Sequence, residues 1–544
     1  MRRLAISAFT LAVIVTVPSL ATAQYTSTNR DVLVPNTGPW PTTGVTLGGT
    51  TFVNLGLQGV GRVAASSIDP LTGESLGSIS DMQITNFVNN HDGSWSGAFN
   101  FLPDRGFNSG AIFSNYAARI NTFDFTFTPY TAAAPTTLQN QIALTFVGST
   151  RFTYDHDNNP ATAPIYTTGL LADGRGTLFG TTVPVASGNS TQSDGTFSNR
   201  LTLDTEGLIL DNRGGKAGAG WIGDEYGGYI YRFDSNKQIT GQLQLPQALV
   251  PHSPVGTINF NASPEVNGRR INQGMEGIAQ TPDGTKLFAL LQSATIQDSG
   301  SGNQGRSNTR LLVYDVSSSD TPTAPAKQYV IQLPRIDDNG GSPAVNRAGA
   351  QSSIIALNDH QLLILSRDGN GRGATGSPVF KSVLLADLSN ATELTGFDAE
   401  GAAVAPGGVL NASITPIAWT EALNMLGKLG PASTIELAKF GLNLNTAPGD
   451  INSLSEKWEA LGLVPVGDGT GDYFLFIGND NDFLTQTGKY LDATGILQSY
   501  DGGLENDTVV LAYRIAAVPE PQTYAMLLAG LGFLGLAAAR RRRH

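Results

Sequence analysis

Carboxylate side chains recur next to small residues at four places in the chain. Three copies pair glutamate with glycine and a fourth has alanine instead: Asp204-Thr205-Glu206-Gly207-Leu208, Met275-Glu276-Gly277-Ile278-Ala279, Asp398-Ala399-Glu400-Gly401-Ala402 and Trp458-Glu459-Ala460-Leu461. Three of the four are followed by an apolar run that ends in polar residues, at 221–225, 290–292 and 476–480. Because repeated units place equivalent residues at equivalent positions, these acids are expected to converge in the fold.

The converging acids offer many oxygen ligands and no sulfur, which suits Ca²⁺, a cation that binds about six to eight oxygens. The predicted ligands are Asp104, Glu206, Glu276, Glu459, Asn479, Asp480 and Asp482, and the predicted catalytic residues are Glu206, Glu276, Asp224 and Glu225. A bound Ca²⁺ would polarise a phosphoryl or ester oxygen, with a free carboxylate as general base. Two alternatives stay open: a purely structural Ca²⁺, or acids that cap strands and pair with Arg105, Arg232 and Arg367 without metal.

Two arginines lie in turns beside an acid and are predicted to bind the anionic group of a substrate. Arg105 follows Asp104, and Arg367 precedes Asp368. A guanidinium can bind phosphate oxygens through two parallel hydrogen bonds. Neighbouring arginine and aspartate residues also form structural ion pairs, so the second interpretation remains open.

Composition argues against several other chemistries. The chain has no cysteine, which removes a thiol nucleophile and thiolate-bound zinc. Its few histidines make a multi-histidine metal centre unexpected. Gly-x-Ser-x-Gly occurs around Ser75, but no helical pattern follows this serine, as a nucleophile elbow requires. With a net charge of -12, the protein is not expected to bind nucleic acid.

The elements that position these residues are predicted to be strands. Short apolar runs recur at 141–147, 287–291, 310–314, 361–365, 382–385, 473–477 and 508–513, and Asp-Gly or Asn-Gly turns punctuate the sequence. The chain is therefore predicted to be all-β. The repeat favours a β-propeller-like single domain, in which the first strand of each blade lines a central channel. The segment 417–440 has helical spacing interrupted at Gly430-Pro431, which predicts a small helical insertion.

Residues 1–23 have the pattern of a secretory signal peptide. A basic start and an apolar run precede Ala21-Thr22-Ala23, a cleavage site for signal peptidase. The segment 24–49 is predicted to be a linker to the propeller domain, which is predicted to span 50–515. The protein is therefore expected to act outside the cytoplasm.

The C-terminal segment 516–544 carries a second export signal. Val518-Pro519-Glu520-Pro521 is followed by an apolar stretch, 524–539, and by four arginines at 540–543. The stretch is long enough for a transmembrane helix slightly shorter than the hydrocarbon core, with the arginines on the cytoplasmic side. The segment resembles the PEP-CTERM sorting signal of Gram-negative bacteria. That resemblance implies processing by an exosortase, followed by release or surface attachment.

Several motifs lie between the two terminal signals, and together they indicate a protein family more specifically than any one of them does. They are Leu102-Pro103-Asp104-Arg105-Gly106-Phe107-Asn108, Leu203-Asp204-Thr205-Glu206-Gly207, Trp221-Ile222-Gly223-Asp224-Glu225-Tyr226, Asn272-Gln273-Gly274-Met275-Glu276-Gly277, Leu365-Ser366-Arg367-Asp368 and Asn479-Asp480-Asn481-Asp482-Phe483. Together they resemble the phytase-like family, described as esterase-like activity of phytase, over residues 50–515. The sequence departs from the family at Ala460, where glycine is usual, and at Ser366, where an acid is common.

The resemblance implies a propeller that hydrolyses phosphate esters such as phytate. Because the body is acidic, Ca²⁺ would have to bridge it to a small anionic substrate. One alternative is a non-enzymatic propeller that binds exopolysaccharide or protein in an extracellular matrix. Another is a Ca²⁺-dependent lactonase or carboxylesterase. In each case the membrane is contacted only through the C-terminal anchor.

Overall fold

The fold is seen in a computed structural model that describes residues 31–519, apart from 33–36, 41, 111, 158, 160, 188–198, 255, 262–264, 340–343, 431–433 and 446–449. The predicted signal peptide, 1–23, and the predicted transmembrane stretch, 524–539, lie outside the described residues. Within the described part of the chain, no helix has the length and apolar character needed to cross a membrane.

Five sheets, whose main strands pair antiparallel, make up most of the described chain, and we number them as blades in chain order. Blade 1 consists of Asp81–Asn89, Trp95–Leu102, Arg119–Phe127 and Ile142–Arg151. Blade 2 consists of Thr205–Leu210, Gly220–Asp224, Ile230–Phe233 and Gln238–Leu243, extended by Thr153–Tyr154 and Ile165–Tyr166. Blade 3 consists of Met275–Gln280, Lys286–Leu291, Asn308–Asp315 and Lys327–Gln332.

Blades 4 and 5 complete the set, and short elements decorate it. Blade 4 consists of Ala350–Ala356, Gln361–Arg367, Lys381–Asp387 and Ala418–Asn424. Blade 5 consists of Lys457–Pro465, Tyr473–Asp480, Thr508–Pro519, Thr50–Val63 and Val45–Leu47. Short 3-10 helices lie at Gln247–Leu249, Gln304–Arg306, Pro406–Gly408 and Glu436–Phe440. Small sheets outside the blades join Asp31–Val32 to Arg335–Ile336 and Arg347–Ala348, Pro39–Trp40 to Lys428–Leu429, Asn108–Ser109 to Ile112–Phe113, Gly174–Leu178 to Thr181–Ala186 and Arg200–Leu201, and Gly488–Leu491 to Leu497–Tyr500.

The first strands of the five blades form a closed ring. Each of them contacts the first strands of the two neighbouring blades, and Asp81–Asn89 of blade 1 contacts both Thr205–Leu210 of blade 2 and Lys457–Pro465 of blade 5. Sheets arranged radially around a central channel define a β-propeller. The prediction of an all-β, propeller-like domain is confirmed, and the described residues form five blades.

The ring is closed by strands from both ends of the described chain. In blade 5, Thr50–Val63 pairs antiparallel with Thr508–Pro519, in a register that places Thr50 opposite Pro519 and Val63 opposite Thr508. Val45–Leu47, inside the predicted linker 24–49, pairs with Thr50–Val63 as a further strand. Backbone hydrogen bonds within blade 5 therefore join the two ends of the described propeller domain.

The hydrophobic core lies between the blades, because each sheet is covered on both faces. Every side chain from Leu287 to Leu291 has 0% exposure, and these residues divide between two separate core clusters on opposite faces of blade 3. Strands buried on both faces appear in sequence as continuous apolar runs rather than as alternating ones. Full burial of each large apolar side chain contributes about 1.5–3 kcal/mol.

The prediction of a helical insertion at 417–440 is wrong. Ala418–Asn424 is the fourth strand of blade 4 and pairs antiparallel with Lys381–Asp387. Only Glu436–Phe440 is helical, as a short 3-10 helix, and residues 431–433 lie outside the described chain. Trp419, Ala422 and Leu423 fit a helical period, but pairing with the third strand of the blade outweighs local helix propensity.

Candidate metal centre

A β-bulge at the start of the first strand directs one acidic residue toward the channel in blades 2, 3 and 5. The strand register shifts between Thr205 and Leu208, between Met275 and Gly277, and between Trp458 and Ala460, so that Glu206, Glu276 and Glu459 each lie within a bulge. A β-bulge bends its strand and re-aims a side chain, and such bulges are common beside active sites. The sequence repeat thus corresponds to a repeated backbone irregularity.

Glycine follows the acid in blades 2 and 3 because neighbouring inner strands approach closely near the axis. A Cβ atom on Gly207 would lie 2.7 Å from Cγ1 of Ile278 and 2.9 Å from the carbonyl oxygen of Glu276. A Cβ on Gly277 would lie 2.8 Å from Oε1 of Gln351. Blade 5 accommodates the methyl group of Ala460, which is fully buried.

Blade 4 carries serine at the equivalent bulge, and the predicted repeat at 398–402 is wrong. The register shift in this blade lies between Gln351 and Ser353, which makes Ser352 the counterpart of the three glutamates. Glu400 lies in the connection before the fourth strand, where its carboxylate accepts a hydrogen bond of 2.7 Å from the Gly256 amide. Gly401 has a positive φ of 73°, so the Glu-Gly pair at this position belongs to a turn.

The second strands of the blades end at the same mouth of the channel, where the acids surround a cavity of ≈ 300 Å³. Of the residues predicted to form the site, this cavity is lined by Asp104, Arg105, Glu206, Glu225, Glu276, Arg367, Glu459 and Asp482. Sequence reasoning did not assign site roles to several other lining residues, among them Asp204, Lys457, Arg306 and Arg347. Asp204 had a usable signal, since it belongs to the same motif as Glu206.

Two predicted site residues have structural partners instead. Asp224, predicted to be catalytic, accepts hydrogen bonds from the backbone amides of Asp204, Tyr226 and Gly227, and it does not line the cavity. Asn479, predicted to be a metal ligand, accepts a bond from the Val509 amide, and it does not line the cavity either. Asp224 therefore shapes the turn that presents Glu225, and Asn479 joins strands within blade 5.

The remaining acids form three overlapping groups. Carboxylate oxygens lie within 4.8 Å of one another in each of three sets: Glu206 with Glu225 and Glu276; Asp104 with Asp204 and Glu206; and Asp104 with Asp480 and Asp482. Asp104 and Glu206 each belong to two sets. Carboxylates this close are the oxygen-rich arrangement that Ca²⁺ favours.

Several carboxylate oxygens in these groups have no hydrogen-bond donor from the protein. Among the described residues, no donor reaches the carboxylate of Glu206, and none reaches the buried atoms Oε1 of Glu225, Oε2 of Glu276 and Oδ1 of Asp204. The side chains of Glu225 and Glu276 hydrogen-bond to each other when one of them holds a proton. A buried polar atom without a partner is unfavourable, so native proteins rarely leave one unexplained. The donor set is all oxygen, anionic and buried, and it therefore fits a hard divalent cation such as Ca²⁺.

Burial and mutual repulsion oppose ionisation of this cluster. Burial, followed by the charges of Glu276 and Glu225, raises the pKa of Glu206 well above its usual value. Burial also raises the pKa of Glu225 to about 7 and that of Glu459 to about 7. Burial similarly opposes ionisation of Asp480, but the charge of Lys457 and several hydrogen bonds, one of them from the Asp482 amide, together outweigh it, and the pKa of Asp480 is lowered. A bound cation would therefore stabilise the Glu206–Glu225–Glu276 set more than any other part of the site.

The predicted substrate-binding arginines line the cavity, but both are ion-paired. Arg367 forms an ion pair with Glu459 and donates a hydrogen bond of 3.2 Å to Oγ of Ser352. Arg105 lies 3.1 Å from the carboxylate of Asp204. Both cations therefore neutralise buried acids at the edge of the cluster, and a substrate anion would share them with these carboxylates.

In a chelator, the difference in stability between the parent protein and Glu225→Gln should depend on pH. The pKa of Glu225 rises from 4.5 in the unfolded chain to about 7 in the fold, mainly through burial. Between these two pKa values the folded state holds a proton that the unfolded state has released. The stabilisation of the fold by protonated Glu225 is therefore complete below pH 4.5 and is lost as the pH rises through 7. Urea unfolding in EDTA should show the parent losing stability relative to the variant across this window.

The same comparison of the parent with Glu225→Gln should be repeated with added Ca²⁺. With Ca²⁺ present, the parent should gain stability relative to Glu225→Gln as the pH rises, because cation binding requires the ionised carboxylate. A parent-to-variant difference that is independent of pH in EDTA would contradict a buried, mutually repelling cluster.

The fold and site together define a five-bladed propeller with a buried acidic centre at one mouth of its channel. Residues 95–483 match the family described as esterase-like activity of phytase, and the chain belongs to this phytase-like family. Residues 517–543 match the PEP-CTERM protein-sorting motif. Both predicted resemblances are confirmed, and the sorting motif marks the protein for export and for processing by an exosortase.

A curated relative and two solved structures place the chain among known proteins. A protein of Arthroderma benhamiae described as an uncharacterized secreted protein is 30% identical over 478 residues, which cover 81% of this chain and 89% of the relative. A periplasmic gluconolactonase of Pseudomonas aeruginosa is 10% identical, with 85% of this chain and 99% of that chain covered and a TM-score of 0.25. A luciferin-regenerating enzyme is 10% identical, with 84% and 95% covered and a TM-score of 0.27. Because both TM-scores are low, the propeller assignment rests on the ring of five blades.

Proposed function

We propose that this exported protein is a Ca²⁺-dependent phosphoesterase that hydrolyses phosphate esters such as phytate. The observation that carries the proposal is the Glu206–Glu225–Glu276 set, which includes buried oxygens without a hydrogen-bond donor and lines a cavity that also contains arginines. Anionic substrates would be repelled by this floor unless a cation lay between them. Membership of the phytase-like family supports the same class of reaction.

Glu206 and Glu276 would hold the ion. Asp104, which shares a second carboxylate group with Glu206, would extend the ligand set, and Glu459, Asp480 and Asp482 extend the acidic surface. When bound, Ca²⁺ would neutralise these acids and polarise a phosphoryl oxygen. Glu225 is the best-placed general base, because it lines the cavity, has an unpartnered oxygen and has a pKa of about 7 in the cation-free protein. Asp224 acts as a positioning residue, since its three backbone hydrogen bonds hold the turn that carries Glu225.

Arg105 and Arg367 would orient the substrate phosphate from the edge of the cluster. Tyr226 accepts a hydrogen bond of 2.5 Å from Nη1 of Arg105, and the guanidinium lies over the Tyr226 ring. The hydrogen bond and the ring contact hold the guanidinium beside the cavity, and a guanidinium can bind a phosphate through two hydrogen bonds. Signal peptidase and an exosortase would process the two ends, so that the propeller acts at the surface or in the medium.

The test is hydrolysis by the mature protein without its two terminal signals. We expect phosphate release from phytate and p-nitrophenyl phosphate that requires Ca²⁺ and stops in EDTA. Hydrolysis of p-nitrophenyl acetate or a lactone alone would favour the carboxylesterase or lactonase alternative. A folded protein that hydrolyses nothing but is retained on exopolysaccharide would favour the binding alternative and would remove the phosphoesterase proposal.

A further inference from the structure

The cavity has a basic wall that the acidic floor neutralises only in part. Five cationic side chains line it, namely Arg105, Arg306, Arg347, Arg367 and Lys457. Three of them are ion-paired with acids of the floor: Arg105 with Asp204, Arg367 with Glu459, and Lys457 with Asp480 and Asp482. The other two, Arg306 and Arg347, make no ion pair with the floor among the described residues.

Arg306 has no acceptor within the described part of the chain. Its side chain is partly buried at the end of the 3-10 helix Gln304–Arg306, and its Nε atom is fully buried without a hydrogen-bond partner. Burial, followed by the charge of Arg347, lowers its pKa from the ordinary value. The charge of Glu265 acts in the opposite direction, but Glu265 pairs with Arg269 and forms no ion pair with Arg306 among the described residues. A bound anion would supply the partner that this partly buried guanidinium lacks.

Arg347 lies beside Arg306 and keeps its terminal nitrogens available. Its Nε atom is 2.7 Å from the carboxylate of Asp338, and its Nη1 atom lies next to Gly369 on the cavity wall. The backbone ties the two arginines together, because Asn303, three residues before Arg306, forms a parallel bridge with Arg347. The side chain of Arg347 is 47% exposed, so a ligand can reach it from the mouth.

We propose that Arg306 and Arg347 form an anion subsite that binds a second, non-reacting phosphate of the substrate. The inference rests on the proposed function and specifies its substrate class: molecules with at least two phosphate groups, one above the acidic floor and one against this wall. Two adjacent guanidiniums can each donate paired hydrogen bonds to one phosphate. An anion between them also relieves their mutual repulsion, and no acid of the floor competes for them.

The first test is binding of inorganic phosphate to the mature protein in EDTA, measured by calorimetry at fixed ionic strength. The parent should bind phosphate, and Arg306→Gln with Arg347→Gln should weaken binding by about tenfold to a hundredfold, the effect of losing hydrogen bonds from charged donors. Arg151→Gln is the matched control, since Arg151 is half-buried and stacked on Tyr166 away from this cavity. Equal affinity in the parent and the double variant would overturn the subsite.

The second test uses turnover with Ca²⁺ on a sugar bisphosphate and its monophosphate. The double variant should raise KM for the bisphosphate by about tenfold or more while kcat and the kinetics of the monophosphate stay unchanged. Arg306→Lys, which keeps the charge but not the paired donors, should give an intermediate KM and serves if the glutamine variants fold poorly. Unchanged discrimination between the two substrates would contradict the proposal. Absence of all turnover would instead refute the phosphoesterase, and the phosphate-binding test would still decide the subsite.

Discussion

Replacing Glu206 with glutamine should remove the calcium-dependent stabilisation of this protein and lower kcat/KM by about 100-fold to 10,000-fold. Glu206 belongs to two of the three carboxylate groups, and its carboxylate has no hydrogen-bond partner among the described residues. Glutamine keeps the size of the side chain but removes a charge and a hard ligand. The parent should gain about 2.7 kcal/mol when Ca²⁺ is a hundredfold above its dissociation constant, and the variant should gain much less.

In a chelator, Glu206→Gln should change the melting temperature in the opposite direction. Neighbouring Glu276 and Glu225 repel the ionised form of Glu206, which contributes to the raised pKa of Glu206. Without metal, Glu206→Gln should therefore melt at a higher temperature than the parent near pH 8, while in Ca²⁺ it should melt at a lower one. Thermal melts across a Ca²⁺ titration measure both.

Glu421 offers the matched control for that substitution. It is largely buried on the outer strand of blade 4, where it accepts a hydrogen bond from Ser382, and it does not line the central cavity. Glu421→Gln should leave the calcium-dependent shift intact. An unchanged calcium shift in Glu206→Gln would refute the metal centre.

Replacing Arg367 with methionine should destabilise the cation-free protein by about 3–5 kcal/mol, because it leaves a buried acid without its counter-charge. Arg367 forms an ion pair with Glu459, which is 3% exposed, and the charge of Glu276 also acts on it. The loss should be greatest near pH 8. It should shrink near pH 5.5, because the pKa of Glu459 is about 7 and protonation removes the charge that needs pairing.

A double variant separates this role from substrate binding alone. Adding Glu459→Gln should restore most of the stability lost in Arg367→Met, since the unpaired carboxylate is then gone. Urea unfolding near pH 8 and near pH 5.5 measures the stability of the parent, the two single variants and the double variant. Arg175→Met, at an exposed position, is the control. If Arg367→Met instead raises KM with no loss of stability, Arg367 is a substrate contact and its ion pair contributes little.

The acidic repeat was readable in the sequence at three of its positions. Glu206, Glu276 and Glu459 each stand beside a small residue and before a run that ends in polar residues, and in the structure each lies in a bulge at the channel. The fourth unit was missed because Ser352 shares no residue type with them. Glu400 looked equivalent because Glu-Gly also suits a turn with a positive φ.

Local pattern was also insufficient where strand pairing decides conformation. The segment around Trp419 has spacing compatible with a helix, yet it forms the edge strand of blade 4. Likewise, Asp224 and Asn479 sit in acidic motifs, but backbone amides occupy their oxygens. Which carboxylates keep free oxygens depends on turns and neighbouring strands that a single motif does not contain.

The sequence by itself determined the all-β class, the family, the C-terminal sorting motif and the oxygen-rich character of the site, because these follow from residue type and local order. Only the tertiary structure decided that there are five blades, that Thr50–Val63 closes the ring, and that Arg105 and Arg367, unlike Arg306 and Arg347, pair with acids of the cavity floor. The physical reason is that blade packing and ion pairing join residues far apart in the chain. Their energies depend on distances and burial that the folded ring alone creates.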